Sequence, residues 1–300
     1  MTKRKIILLC ACGVLLCIYI VQLAVALRSP IKNKTLNAEL DKITIEHAGD
    51  ALTLTKSGDD WLVGEHKYLA NTHAVNAIVT AIKEVRIFGA VDKAGNEAVD
   101  ERYEINAESA IVVTAYEQGS AKRTLIVGKT SATGAQSYML LDGGKDIYLV
   151  SGRLRDTFDK SIDDMRSKSV YSLDASALSS IAQTMDGETI AIKKSGEPAS
   201  WQATEGAPTV DSEKAASWAS SLAVLNVNAW LEDDFMLPPV PVSVTVINAE
   251  DRLITVTVYT LDDGDEARYY GTCSETPYKF ELSQYAAGKF MQASADLYRE

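Results

Sequence analysis

The stretch Trp61–Val85 returns in nearly the same arrangement at Trp201–Leu225. Counted from the tryptophan, the apolar positions Val75, Ile78, Val79, Ile82 and Val85 reappear as Ala215, Trp218, Ala219, Leu222 and Leu225, each 140 residues later. Spacings of three and four place these side chains on one face of an α-helix. A constant offset from strand anchor to helix face is the mark of a duplicated unit, so the chain is expected to hold two tandem copies of one module. The length of 300 residues has room for both, and 46% hydrophobic residues can give each its own core.

The flanking patterns repeat in the same order. Ile43-Thr44-Ile45 and Leu52-Thr53-Leu54 alternate about Gly49-Asp50 and read as a hairpin, followed by the turn Lys56-Ser57-Gly58 and then Trp61. Gly187-Glu188, Ile190-Ala191-Ile192 and Lys194-Ser195-Gly196 lead in the same way to Trp201. Asn71 or Thr72, and Asp211 or Ser212, are placed to cap the two helices. The strand Ile111–Tyr116 is answered by Val242–Val246, and Thr124–Val127 by Ile254–Tyr259. Tyr138–Leu141 and Ile147–Val150 close the first sheet, and residues 268 to 282 the second. Residues 153 to 160 and 283 to 297 read as closing helical pieces. Each tryptophan is expected at a matching buried strand position beside its own helix. The fold class is α+β, with mainly antiparallel sheets and packed helices in two tandem modules. The expected organisation is an anchor at 1–28, a linker at 29–38, a first module at 39–160, a linker at 161–170 and a second module at 171–300.

The anchor rests on Ile6–Leu27, 22 residues without a charge, preceded by Lys3-Arg4-Lys5. A helix of that length rises about 33 Å, enough to cross the hydrocarbon core of a bilayer. Ala24-Val25-Ala26 resembles a signal-peptidase site, but the apolar run exceeds the usual length for a cleaved signal. The basic N-terminus sets the expected orientation, a single-pass protein of the cytoplasmic membrane with its large domain extracytoplasmic. Asn33-Lys34-Thr35 fits the N-glycosylation pattern, a three-residue match that a plain linker also supplies.

Beyond Arg28 the chain carries 26 basic and 41 acidic side chains, a surface that repels phosphate backbones and argues against nucleic-acid binding. Cys10, Cys12 and Cys17 lie in the apolar run, leaving Cys273 without a disulfide partner and without a feature marking it as an activated nucleophile. Gly128-Lys129-Thr130 resembles the end of a phosphate-binding loop, but Arg123 stands where that loop needs its first glycine. His47, His66 and His73 lack the spacing of a zinc site. Asp262-Asp263-Gly264-Asp265-Glu266 and Glu232-Asp233-Asp234 read as solvated turns rather than calcium loops. No catalytic, cofactor-binding or metal residue is therefore assigned, and no cofactor is expected.

The succession of hairpin, Lys-rich turn, tryptophan, capped helix and antiparallel strands resembles a bacterial family of single-pass membrane proteins known as a domain of unknown function. In that family a Tyr-Gly-Leu-x-x-Pro-like stretch follows the helix. Tyr103-Glu104-Ile105 and Phe235-Met236-Leu237-Pro238-Pro239 are similar to it without the glycine, and Met165-Arg166-Ser167-Lys168 is similar to an Arg-Asp-Lys signature between the modules. The resemblance implies partners, because members are often encoded beside gliding-motility-type ABC transporter components. The expected function is thus binding or scaffolding beside a membrane transport complex. An extracytoplasmic enzyme with a site assembled from distant residues is the alternative, and a structural envelope protein the third reading.

Overall fold

The computed structural model describes residues 16–18, 31–205, 208–249, 252–263 and 266–298. Apart from Leu16–Ile18, the uncharged run Ile6–Leu27 lies outside them, and among the described residues no helix is long and apolar enough to cross a membrane. The chain divides into two compact units between Arg166 and Ser167, inside the stretch 161–170.

In chain order unit 1 holds β1 (Lys32–Thr35), β2 (Lys42–His47), β3 (Asp50–Ser57), β4 (Asp60–Val63), β5 (Tyr68–Leu69), α1 (Thr72–Lys83), β6 (Glu84–Lys93) and α2 (Glu97–Tyr103). It continues with β7 (Ile111–Glu117), β8 (Ser120–Thr130), β9 (Gln136–Leu141), β10 (Asp146–Ser151), α3 (Leu154–Phe158) and α4 (Ile162–Met165). The ten strands form one sheet in the order β1-β6-β10-β9-β8-β7-β2-β3-β4-β5, and every pairing is antiparallel. Alternation decides its faces. Ile43 and Ile45, Leu52 and Leu54, Val113 and Leu125 point to one side, where Val75, Ile78 and Ile82 of α1 complete the core with Phe158 and Met165. On the other side a smaller cluster of Ile105, Leu140 and Ile147 lies under Tyr103 and Val99 of α2.

Unit 2 holds β11 (Ser169–Ser172), β12 (Leu178–Met185), β13 (Glu188–Ser195), β14 (Ser200–Ala203), α5 (Ser212–Ser221), β15 (Val224–Asn226) and β16 (Ala229–Trp230). After them come β17 (Ser243–Ala249), β18 (Arg252–Asp263), β19 (Glu266–Cys273), β20 (Thr276–Leu282), α6 (Gln284–Lys289) and α7 (Ser294–Leu297). Its main sheet runs β14-β13-β12-β17-β18-β19-β20-β16, the order of β4-β3-β2-β7-β8-β9-β10-β6 in unit 1. The registers agree as well. The row Leu52, Ile45, Val113, Leu125, Leu141 across the first sheet is matched by Ile190, Gln183, Thr245, Val256, Cys273 across the second.

Three expectations need correcting. The α1 helix stops at Lys83, and Val85 opens β6, because Val85 and Ile87 alternate with charged Glu84 and Arg86 and so bury one face of a strand. Lys32–Thr35, read as part of a linker, is the edge strand β1 paired with β6, although all four of its side chains are exposed. The stretch 161–170 likewise contains α4 and the start of β11, which pairs with β15 as β1 pairs with β6. Each unit therefore begins with its own short edge strand. Leu36 N–H donates to the Lys83 carbonyl and Leu173 N–H to the Ala223 carbonyl, both at 2.8 Å. The open carbonyl one residue earlier is met differently: the Arg123 guanidinium donates to Ile82 at 2.9 Å, and the Tyr171 hydroxyl to Leu222 at 3.0 Å. Burial pushes the Tyr171 phenol well above its ordinary range, which keeps it a donor.

The tryptophans hold matching register positions, Trp61 opposite Lys56 and Trp201 opposite Lys194. Their burial differs from expectation: Trp201 is buried, with the Lys194 amine 5.3 Å from its ring, whereas Trp61 is only partly covered. Trp201→Ala is accordingly expected to lose about 2 kcal/mol more stability than Trp61→Ala. Urea unfolding of the two variants measures the difference, and equal losses would contradict the burial argument.

Candidate functional site

Gly128-Lys129-Thr130 ends β8, and no helix follows it. A Cβ on Gly128 would stand 2.2 Å from the Tyr103 carbonyl oxygen, so the glycine permits a close approach of α2 to the sheet. Cys273 is buried in β19, and burial pushes its thiol above the ordinary range, which disfavours the thiolate a nucleophile needs. Glu232, Asp233 and Asp234 are exposed in a turn; of the acidic stretch 262–266, Asp263 ends β18 and Glu266 begins β19, and residues 264 and 265 lie outside the described residues. Among the described residues no three His, Cys, Asp or Glu side chains converge as metal ligands.

The histidines separate. His66 lies against Tyr68, with ring centroids 5.6 Å apart, and His73 is in the first turn of α1. His47, at the end of β2, enters a cluster with no local sequence signal, because its partners are more than a hundred residues away. Its Nδ1 is 2.9 Å from Asp159 Oδ1, and its Nε2 is 3.3 Å from an Arg155 guanidinium nitrogen. Arg155 also donates to the Ser109 carbonyl at 3.0 Å and lies 3.6 Å from Glu104. Arginine can only donate, so Nε2 accepts and Nδ1 carries the proton toward Asp159. Both ring nitrogens are thereby engaged within the protein, and the cluster reads as a tie between β2 and α3.

Unit 2 contains polar groups that its sequence also left unmarked. Gln183 and Thr245 lie buried in the cross-sheet row where unit 1 has Ile45 and Val113, and Ser243 is buried beside them. The Gln183 side-chain amide donates to the Gln292 carbonyl at 2.8 Å and accepts from its N–H at 3.0 Å, while Ser243 Oγ donates to the Phe290 carbonyl at 2.5 Å. These bonds fix the connection between α6 and α7.

The open concavities lie on the helical layers. In unit 1 a groove of about 470 Å³ runs between α1 and α3, past His73, Asn76, Ala77, Glu84, Gly152 and Thr157. In unit 2 a groove of about 600 Å³ lies between α5 and the pair α6 and α7, lined by Lys214, Trp218, Tyr285, Lys289, Gln292 and Asp296. The helix beside each groove is tied down at its N-terminus in the same way. Asn71 caps α1 by accepting from Ala74 N–H, and its own N–H donates to the Met165 carbonyl at 2.7 Å. Asp211 caps α5 by accepting from Glu213 and Lys214 N–H, and its N–H donates to the Leu297 carbonyl at 2.8 Å. Their linings differ. Each carries one carboxylate, Glu84 or Asp296, but the first adds a histidine and the second two lysines, one of which holds its amine 5.0 Å from the ring of the largely exposed Tyr285. Trp218 gives the second groove a fixed wall, its indole N–H donating to the Lys289 carbonyl at 2.9 Å.

The fold and these grooves define an α+β protein of two antiparallel sheets, each with a helical layer that carries an open cleft. Residues 37–240 match the family described as Domain of unknown function (DUF4340), and the chain belongs to that family. No curated protein and no solved structure matches it.

Proposed function

We propose that this chain is a membrane-anchored extracytoplasmic binding or scaffolding protein, made of two copies of one module and acting as an accessory of a membrane transport complex. The observation that carries the binding role is the pair of open grooves, one on each helical layer, each beside a helix whose N-cap residue also ties its backbone N–H to the last helix of its unit. Descent from one module is supported by the 140-residue offset and by matching registers over eight strands. A binding surface kept twice with different linings suits a protein that contacts two features of a partner, or two partners. The run Ile6–Leu27 supports the anchor, and the family resemblance supplies ABC transporter subunits as the partner class.

Protease added to intact spheroplasts is expected to remove residues 40–300 and leave a fragment in the membrane. The full-length chain in mild detergent is expected to co-purify with integral membrane subunits, and deleting residues 6–27 should weaken that recovery. Complete protection from protease would overturn the orientation. Recovery of the chain alone after in-cell crosslinking would overturn the partnership.

A further inference from the structure

The correspondence between the units locates a surface that only the second one has. His47 pairs with Asp50 at the β2 hairpin end as Met185 pairs with Glu188 at the β12 end. Asp159 follows the fully buried Phe158, and Met291 follows the fully buried Phe290. Tyr103 packs on Tyr138 with ring centroids 4.9 Å apart, and Phe235 packs on Tyr270 at the same 4.9 Å, which sets Met236 at the place of Glu104. The positions of His47, Asp159 and Glu104, joined in unit 1 through Arg155, are thus all methionine in unit 2, and Arg155 itself corresponds to the buried Ala287. Half of the six methionines of the chain fall at these three positions.

At Met236 the surface is apolar, open and held in place, while Met185 and Met291 are partly buried. The segment 231–242 lies where unit 1 has α2 but forms neither helix nor strand; Lys279 pins it by donating to the Asp233 carbonyl at 2.9 Å and the Phe235 carbonyl at 2.8 Å. Pro238, Pro239 and Pro241 stiffen it further. On this fixed base Met236 is 87% and Val240 71% exposed, and Leu261 of β18, beyond the same sheet end, is 46% exposed. Methionine side chains adapt their shape and suit surfaces that receive apolar helices.

Charge selects the occupant. Glu232, Asp233 and Asp234 are exposed on this segment, no Lys or Arg occurs between Leu231 and Val242, the Lys279 amine is committed to two carbonyls, and Arg268 opposite Leu261 is engaged within the protein. Such a surface repels a second copy of this acidic chain and an anionic lipid surface alike. We propose that this end of unit 2 docks a Lys/Arg-bearing amphipathic helix of a protein partner, its apolar face on Met236 and Val240 and its basic face toward Glu232, Asp233 and Asp234. The assignment rests on the binding role proposed above and names the chemistry of the occupant.

The test uses the full-length chain in neutral detergent and a fluorescent 18-residue peptide with Leu and Lys at helical spacing, with empty micelles as background. Saturable binding is expected. Met236→Ser with Val240→Ser, both at exposed positions, should weaken it at least tenfold without changing charge, and Asp233→Asn with Asp234→Asn should weaken it several-fold and flatten its salt dependence. Circular dichroism of the variants should match the parent. Unchanged binding by either double variant, or equal binding of a Leu/Glu peptide, overturns the proposal. So does concentration-dependent dimerisation, or flotation with zwitterionic vesicles, that disappears with Met236→Ser, since the patch would then belong to a second copy or to lipid. If the variants bind peptide normally while transporter subunits still co-purify, this docking site fails and the binding role stands. If peptide binding behaves as described and no membrane partner is recovered, the partnership fails and the site stands.

Discussion

Phe290→Ala is expected to destabilise unit 2 by about 4 to 5 kcal/mol, the upper end of what deletion of a buried aromatic ring costs. The side chain is fully buried at the end of α6, against the core of the second sheet. Cavity costs fall when the surroundings can collapse into the space, and here they are held back. The Phe290 carbonyl is bonded by Ser243, and two residues on the Gln292 backbone is clamped by Gln183, so the segment above the cavity cannot move inward without breaking buried hydrogen bonds. Phe158 is equally buried in unit 1, but the positions matching Ser243, Gln183 and Thr245 are the apolar Ile111, Ile45 and Val113, and the tie beside it, Asp159 to His47, is partly exposed to water and so resists collapse less than buried clamps do. Phe158→Ala is therefore expected to cost less, about 3 kcal/mol. Urea titrations followed by tryptophan fluorescence report mainly on unit 2, which contains Trp201, Trp218 and Trp230, and hydrogen exchange resolved by peptide reads unit 1. A larger loss for Phe158→Ala than for Phe290→Ala would show that the polar clamps do not resist collapse.

Gly128→Ala, a change of one methyl group, is expected to cost at least about 3 kcal/mol. The new Cβ would lie 2.2 Å from the Tyr103 carbonyl oxygen and 2.9 Å from Ile105 Cγ2, and the first of these is backbone, which no rotamer change can remove. That carbonyl is held by the end of α2, where Glu104 takes a left-handed conformation with φ 55° and ψ 42° and donates its N–H to the Asp100 and Glu101 carbonyls. Ile105 N–H is also bonded to the Asp100 carbonyl, at 2.9 Å. The helix end must lift as a unit, separating Tyr103 from Tyr138 and opening the cluster of Ile105, Leu140 and Ile147. Gly288→Ala is the matched control: it lies within α6 with nothing within 4 Å of its would-be Cβ, and alanine there should be neutral or stabilising by up to about 1 kcal/mol. If both substitutions leave the unfolding midpoint unchanged, the close approach of α2 to β8 does not exist in solution.

How much of this was legible from the chain alone depends on how local each feature is. The faces of α1 and α5 were readable because helical periodicity lies within a dozen residues, and the hairpins of β2 with β3 and β12 with β13 because alternation and a turn suffice. Even the division of the chain falls within the polar stretch that interrupts these patterns. β1 was not readable, since Lys32-Asn33-Lys34-Thr35 has no buried side chain and is a strand only by virtue of its backbone bonds to β6. Nor was the His47, Arg155 and Asp159 tie, whose members no periodicity connects.

The sequence by itself thus determined that one pattern of residues recurs at a constant offset, that each stretch carrying it is antiparallel sheet with a capped helix, and that the charge beyond the N-terminal run is acidic, because each of these follows from residue type at short or constant spacing. Only the tertiary structure decided which residues of the two units correspond across the whole sheet, where unit 1 has a polar tie and unit 2 has methionines, and which glycine lets a helix touch the sheet. Those properties arise from strand register and close packing, which bring together side chains that the chain itself keeps far apart.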